Sequence, residues 1–162
     1  MRENDLEILK HHMAHPPVQP KDIIEGLGVR FVTEDMENGA SGCIQKYRDG
    51  GYRISVNAAE GPQRRRFTAA HELAHYLLHR DLLDERGHLD RLYGGAAANP
   101  SAPLSPLHEV QANKLAAQIL MPAPQIRARV GGGKPDVEAL ASEFDVSPAA
   151  MRIRLKTLGF EV

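Results

Sequence analysis

The stretch RRRFTAAHELAHYLLHRD, residues 64–81, contains the pattern His-Glu-x-x-His. On a helix, residues four positions apart differ by roughly 40° of rotation, so His71 and His75 point the same way and can bind one metal ion. Glu72 lies about 100° around the helix, which is too far for a good ligand. Its carboxylate can instead take a proton from a metal-bound water and so generate a nucleophile. The pattern therefore predicts a metal-dependent hydrolytic site on one long helix.

A site with two histidines needs a further protein ligand, and three residues are candidates. Asp81 follows His71 by ten positions, but a ligand there needs glycine at position 78 to turn the chain back, and that position is leucine. His79 is one turn beyond His75, and the helical rise places it about 12 Å from His71. Glu109 lies on a later predicted helix, and a ligand from a second helix can complete a His₂Glu site that leaves a position open for water.

Local patterns predict the secondary structure around this helix. Apolar periodicity, first-turn prolines and terminal glycines predict helices over residues 3–14, 20–27, 62–83, 106–120, 137–144 and 148–158. Strand-like residue types predict strands over residues 29–34, 41–47 and 52–57, and the sequence RDGG between the last two favours a hairpin. Residues 84–105 lack periodicity and are predicted to form a long loop.

The composition is that of an ordinary globular protein of 162 residues with a net charge of −1. This charge gives no reason to expect binding to nucleic acid or to an anionic membrane. Cys43 is the single cysteine, which excludes an internal disulfide and any metal site built from several thiolates. There is neither a signal-peptide pattern nor an apolar run long enough to span a bilayer, so we expect a cytoplasmic protein.

Two separated motifs in the chain resemble those of the ImmA/IrrE family of metallopeptidases. RFTAAHELAHYLLH at residues 66–79 is followed by HEVQANKLAAQILMP at residues 108–122. The similarity extends from about Val29 to Pro122 and continues more weakly to Gly159. It implies that Glu109, the first glutamate of the second motif, is the third metal ligand. It also implies that Asn113, one turn later, holds a ligand histidine from outside the metal site.

The chain departs from the family pattern at two positions. Family members often have an acidic residue where Gln111 stands and a phenylalanine where Leu115 stands. We expect neither side chain to contact the proposed ligands.

The resemblance implies an α+β, zincin-like fold, with a small three-stranded antiparallel sheet packed on the helix that carries the histidines. We predict a metallopeptidase domain over residues 1–130 and a C-terminal helical pair over residues 134–162, packed on that domain. The pair is similar to a helix-turn-helix, but Asp145 stands in its turn where glycine is commonest. The pair has few cationic residues, among them Arg152, Arg154 and Lys156, so direct DNA binding is not expected.

The predicted activity is that of a metal-dependent endopeptidase, with water activated by Glu72 and with Zn²⁺, Mn²⁺ or another divalent ion as cofactor. The resemblance further implies a protein substrate, a helix-turn-helix repressor or an antitoxin partner, and hence a role in transcription regulation or in a toxin–antitoxin pair. The alternative is a regulator that keeps the metal site but binds its partner without cleaving it. The group that stabilises the oxyanion remains open among Tyr76, His88, Tyr93 and His108.

Overall fold

The computed structural model describes residues 1–93 and 104–162 and has an α+β fold, as predicted. Seven α-helices and four strands lie in this part of the chain. In chain order they are α1 (Glu3–Met13), α2 (Pro20–Gly26), β1 (Arg30–Glu34), β2 (Gly42–Lys46), β3 (Tyr52–Asn57), α3 (Pro62–His79), β4 (His88–Asp90), α4 (Pro106–Leu120), α5 (Ala123–Val130), α6 (Val137–Phe144) and α7 (Pro148–Thr157). A 3₁₀ turn, Arg80–Leu82, follows α3, which therefore ends earlier than predicted. Within the described residues, no helix is long and apolar enough to cross a membrane.

The sheet is mixed and has four strands, so the prediction of three antiparallel strands was wrong. The strand order is β1-β3-β2-β4. Strands β2 and β3 form the predicted antiparallel hairpin, but β1 pairs with the free edge of β3 and runs parallel to it. The chain reverses direction between β1 and β2 and again between β2 and β3, so β1 and β3 run in the same direction. Residue periodicity does not specify which neighbour a strand chooses, and this is why the order was missed.

Strand β4 lies in the segment that was predicted to be loop. It pairs antiparallel with β2 over three residues and forms one edge of the sheet. Gly87 precedes it with φ +74°, a conformation that favours glycine and turns the chain onto the sheet. A strand this short carries almost no periodic signal. Residues 94–103 of the predicted loop lie outside the described residues.

Helix α3 lies between two hydrophobic clusters, which explains why most of its side chains are buried. On one side, Leu73 and Leu77 pack with Ile44, Ile54 and neighbouring residues of the sheet and the N-terminal helices. On the other side, Ala70 belongs to a second cluster formed with α4 and the C-terminal helices. The histidine-bearing helix is therefore fixed by tertiary packing on both faces.

The second cluster joins the C-terminal helices to α4, and α5 is a helix that the sequence interpretation did not predict. The helix predicted over residues 106–120 is followed by the sequence MPAP, residues 121–124, whose second proline lies in the first turn of α5, where the missing N–H costs nothing. Arg154 of α7 donates from Nε to the main-chain oxygen of Met121 at 2.9 Å, and Phe144 and Leu155 are fully buried. The domain boundary at residues 130–134 stays a prediction.

Candidate metal centre

Four side chains from three elements converge on one point beside α3. They are His71 and His75 of α3, Asp90 of β4 and Glu109 of α4, and their ligand atoms all lie within 4.8 Å of one another. The sequence interpretation placed three of these residues together and missed Asp90. The two imidazole rings are 4.6 Å apart between centroids, as expected for neighbours one helical turn apart.

The histidine nitrogens of this cluster lie 2.9–3.3 Å from the carboxylate oxygens. Asp90 Oδ2 lies 3.3 Å from His71 Nε2 and 3.2 Å from His75 Nε2. Glu109 reaches the same two nitrogen atoms with its two oxygens, at 2.9 Å and 3.3 Å respectively. Both histidines are fully buried, and so is Asp90. Such an enclosed set of two imidazoles and two carboxylates matches the ligand types that zinc and similar divalent ions prefer.

Asn113 determines which nitrogen of His71 faces the centre. Its Oδ1 atom lies 2.8 Å from His71 Nδ1 and can only accept a hydrogen bond, so Nδ1 carries the proton. The lone pair of the neutral ring is then on Nε2, which points to the carboxylates. This is the position that the family resemblance implied for Asn113, one helical turn after Glu109 on α4.

His75 is oriented by a chain of two further side chains. Gln111 Oε1 accepts from His79 Nε2 at 2.8 Å, so the neutral His79 ring presents its lone pair on Nδ1. Burial lowers the pKa of His79 and favours this neutral form. His75 Nδ1 lies 3.0 Å from His79 Nδ1 and donates to it, which leaves His75 Nε2 free to bind a metal. Gln111 therefore reaches a proposed ligand through His79, although it does not contact that ligand directly.

Glu72 is fully buried on the side of α3 that faces β2. Glycine at position 42 makes this close packing possible, because a Cβ atom there would lie 2.6 Å from Thr68 Cγ2 and 3.1 Å from Glu72 Cγ. Burial, and then the charge of Asp90, raise the pKa of the Glu72 carboxyl well above its ordinary value. A carboxylate with a raised pKa is a stronger base, which suits the proton-accepting role predicted for Glu72.

The carboxylates of the centre favour the protonated forms of His71 and His88. Burial alone would lower the pKa of His71, but hydrogen bonds and charges from Asp90 and Glu109 outweigh it and raise the pKa to about 9. The same opposing effects raise the pKa of His88 to about 9. Burial opposes the ionisation of Glu109, but the histidines outweigh it and lower its pKa to about 2. A divalent cation would replace these protons, so metal binding must release them.

The four candidates for the oxyanion-stabilising group occupy different places. Tyr76 is packed in the core against Tyr52, and His108 caps the first turn of α4. Tyr93 donates from its hydroxyl to the main-chain oxygen of Arg64. His88 alone of the four reaches the centre, where its Nε2 atom lies 2.6 Å from Glu109 Oε1 and 3.1 Å from Asp90 Oδ1. Its identity as the oxyanion-stabilising group stays open, because both carboxylates already engage that nitrogen.

The side chains present fit a divalent metal ion. Four buried side-chain atoms have no hydrogen bond of normal geometry among the described residues. They are Glu72 Oε1, Glu72 Oε2, His75 Nε2 and Asp90 Oδ2. Buried polar atoms without partners are costly unless an ion or water satisfies them. A tetrahedral zinc ion with bonds of about 2.0–2.1 Å separates its ligand atoms by roughly 3.3 Å. The contacts of 2.9–3.3 Å between the histidine nitrogens and the carboxylates approach that spacing.

The remaining ligand candidate, Asp81, is exposed in the 3₁₀ turn after α3 and is not part of the cluster. Asp90 was missed because it lies in the segment predicted to be loop. One signal was available in the sequence, since His88 and Asp90 are two positions apart and would share one face of a strand. That signal is weak without a reason to expect a strand.

A His-Glu-x-x-His helix against a small sheet, with an acidic residue supplied by the following helix, is an arrangement typical of metallopeptidases. The chain belongs to the family of IrrE N-terminal-like domains, peptidase family M78, whose model matches residues 24–156. This match confirms the resemblance that the two sequence motifs indicated. Comparison with curated proteins gives no significant match.

Among solved structures, the chain is similar to a Mycobacterium tuberculosis transcriptional regulator. The two share 16% sequence identity, with a TM-score of 0.61 over 98% of this chain. Identity this low shows a shared fold only. The chain corresponds to 48% of the length of that regulator.

Proposed function

We propose that the protein is a metal-dependent endopeptidase that hydrolyses a peptide bond in a protein substrate. The observation that carries the proposal is the convergence of two histidines and an acidic side chain on one buried point, with Glu72 beside it. Membership of a metallopeptidase family supports the same conclusion. The substrate class that we propose, a helix-turn-helix repressor or an antitoxin, rests on resemblance to the ImmA/IrrE family.

The roles of the residues follow from their positions. His71, His75 and Glu109 would hold Zn²⁺ or a similar divalent ion, with Asn113 fixing the orientation of His71. When bound, such an ion supplies Lewis acidity, which lowers the pKa of a coordinated water and polarises a peptide carbonyl. Glu72 accepts the proton of the attacking water and passes it to the leaving amine, which its raised pKa favours.

The experiment that tests this function compares wild type with Glu72→Gln. Both proteins are loaded with zinc and incubated with a fluorescence-quenched peptide library and with a purified helix-turn-helix repressor. We expect Glu72→Gln to bind metal as wild type does and to lose cleavage by at least about 100-fold, because it lacks the proton acceptor. Glu138→Gln is the matched control, since Glu138 is exposed on α6. Cleavage that persists in Glu72→Gln would refute the proposed role of Glu72.

The second candidate is a regulator that binds a partner through this fold without cleaving it. The identity of the structural neighbour as a transcriptional regulator motivates this candidate. It predicts that wild type and Glu72→Gln bind a repressor equally and that neither cleaves it. Direct DNA binding is not proposed, because Arg154, one of the few cations of the C-terminal pair, is buried against the main chain of Met121.

A further inference from the structure

The fourth side chain of the centre, Asp90, faces the same point as the three proposed ligands. Its Oδ2 atom is nearly equidistant from the two histidine nitrogens, at 3.3 Å from His71 and 3.2 Å from His75. That oxygen is buried and has no hydrogen bond of normal geometry among the described residues. Its other oxygen, Oδ1, lies 3.1 Å from His88 Nε2, which holds the carboxylate from outside.

A fourth protein ligand changes what the centre can do. Two imidazoles and one carboxylate leave a tetrahedral ion with one free position, which a catalytic site needs for water or substrate. A second carboxylate would fill that position, and the centre would then resemble a closed structural site. By filling the fourth position, the carboxylate of Asp90 would exclude the attacking water.

Asp90 is carried by the shortest strand of the sheet. Among the described residues, β4 has three residues, lies at the sheet edge and pairs with β2 alone, where Asp90 is opposite Gly42. The main-chain oxygen of Asp90 accepts from Ser41 N at 2.7 Å, and Ser41 Oγ accepts from Leu92 N at 3.1 Å. In the part of the chain that the structure describes, few main-chain bonds thus attach Asp90 to the sheet, whereas His71, His75 and Glu109 lie on long helices. Elements of this kind open at lower free energy than core helices.

We propose that Asp90 is a displaceable fourth ligand that keeps the metal centre closed at rest. Release of β4 from the edge of β2 removes this carboxylate and vacates the position that water and a peptide carbonyl require. A protein substrate that engages this sheet edge would favour release, because it can bind only the open form. The inference rests on the proposed metal-dependent function and adds its regulation.

The test measures access to the ion instead of peptide cleavage. The full chain is loaded with Co²⁺ as wild type, Asp90→Ala and Asp90→Asn. Metal affinity is measured by competition with a chromogenic chelator, and acetohydroxamate binding is followed by the visible absorption of Co²⁺. We expect Asp90→Ala to lower metal affinity by at least about tenfold. Because the vacated position admits a chelating ligand, we expect acetohydroxamate to bind this variant at least about tenfold more tightly than wild type.

The matched control is Asp84→Asn, which changes a partly exposed aspartate paired with Arg86 in the same segment. It should bind both metal and acetohydroxamate as wild type does. Equal acetohydroxamate affinity in wild type and Asp90→Ala would overturn the proposal, even if metal affinity fell, because it would mean that Asp90 only orients the ligands. If circular dichroism shows that Asp90→Ala does not fold, Asp90→Asn decides on the same criteria, since it keeps the shape of the side chain and loses its charge.

Peptide cleavage is then measured with the same proteins, so that the two ideas can fail separately. If Asp90→Ala binds acetohydroxamate tightly but neither it nor wild type cleaves any peptide or repressor, the proposed peptidase function fails and the closed-site inference stands. If wild type cleaves readily and acetohydroxamate affinity does not depend on Asp90, the function stands and the inference fails.

Discussion

The contact between β2 and α3 at Gly42 leads to a quantitative prediction for Gly42→Ala. A Cβ atom at this position would lie 2.6 Å from Thr68 Cγ2, 3.1 Å from Glu72 Cγ and 3.2 Å from the main-chain oxygen of Ser55. The contact with Thr68 must open by roughly 0.8 Å to reach an ordinary 3.4 Å separation. α3 is packed between two clusters and cannot shift freely, so we expect the free energy of unfolding to fall by about 1–3 kcal/mol.

The assay is urea unfolding of the metal-free protein, followed by circular dichroism, for Gly42→Ala, Thr68→Ser and the double variant. Thr68→Ser removes the methyl group that makes the closest contact, so the double variant should recover more than half of the stability lost in Gly42→Ala. Gly132→Ala is the control, because its Cβ atom would meet nothing within 4 Å. If Gly42→Ala is as stable as wild type, or if Thr68→Ser gives no recovery, the packing argument is wrong.

Further predictions concern the groups around the centre. Asn113→Ala should weaken metal binding by about 10–100-fold without unfolding the chain, because His71 loses its orienting partner; chelator competition measures this. In the metal-free protein the pKa of His71 is raised from 6.5 to about 9, so the stability it contributes is full below pH 6.5 and lost as the pH rises to about 9. A urea unfolding midpoint that stays constant over this pH range would contradict the predicted loss of stability. Burial, and then a nearby carboxylate, raise the pKa of the Cys43 thiol, so its alkylation by iodoacetamide at neutral pH should be slower than that of a free thiol. Arg154→Ala should lower the free energy of unfolding by about 1–3 kcal/mol, because it leaves a buried carbonyl unpaired. Arg152→Ala, at an exposed position on the same helix, should change this free energy little in the same unfolding assay.

The parts of the fold that local patterns encode could be predicted from the sequence. The helices that carry His71 and Glu109 have apolar periodicity and first-turn prolines, and the β2–β3 hairpin has a turn sequence between two strand-like runs. Each of these signals lies within one short window. The motifs also grouped both histidines with Glu109, and the structure brings these side chains together. Their role as metal ligands stays a prediction.

The parts that depend on tertiary pairing could not be predicted in this way. The parallel pairing of β1 with β3 depends on which sheet edge is free, and this is decided by the whole fold. β4 is defined by its partner β2 and not by its own three residues, so Asp90 had no context that marked it as part of the centre. The same reason explains Gln111, whose link to His75 passes through His79 and cannot be read from helical spacing on one element.

The side chains of the candidate metal centre come from separate parts of the chain, and this affects the stability of the folded state. His71 and Glu109 are separated by 38 residues in sequence, and Asp90 lies between them on a third element. An ion bound to all of them is a cross-link that closes two successive chain loops at once, and closing such loops restricts the unfolded chain. The binding free energy of the ion is then also folding free energy, and it holds the sheet edge, α3 and α4 in one cooperative unit.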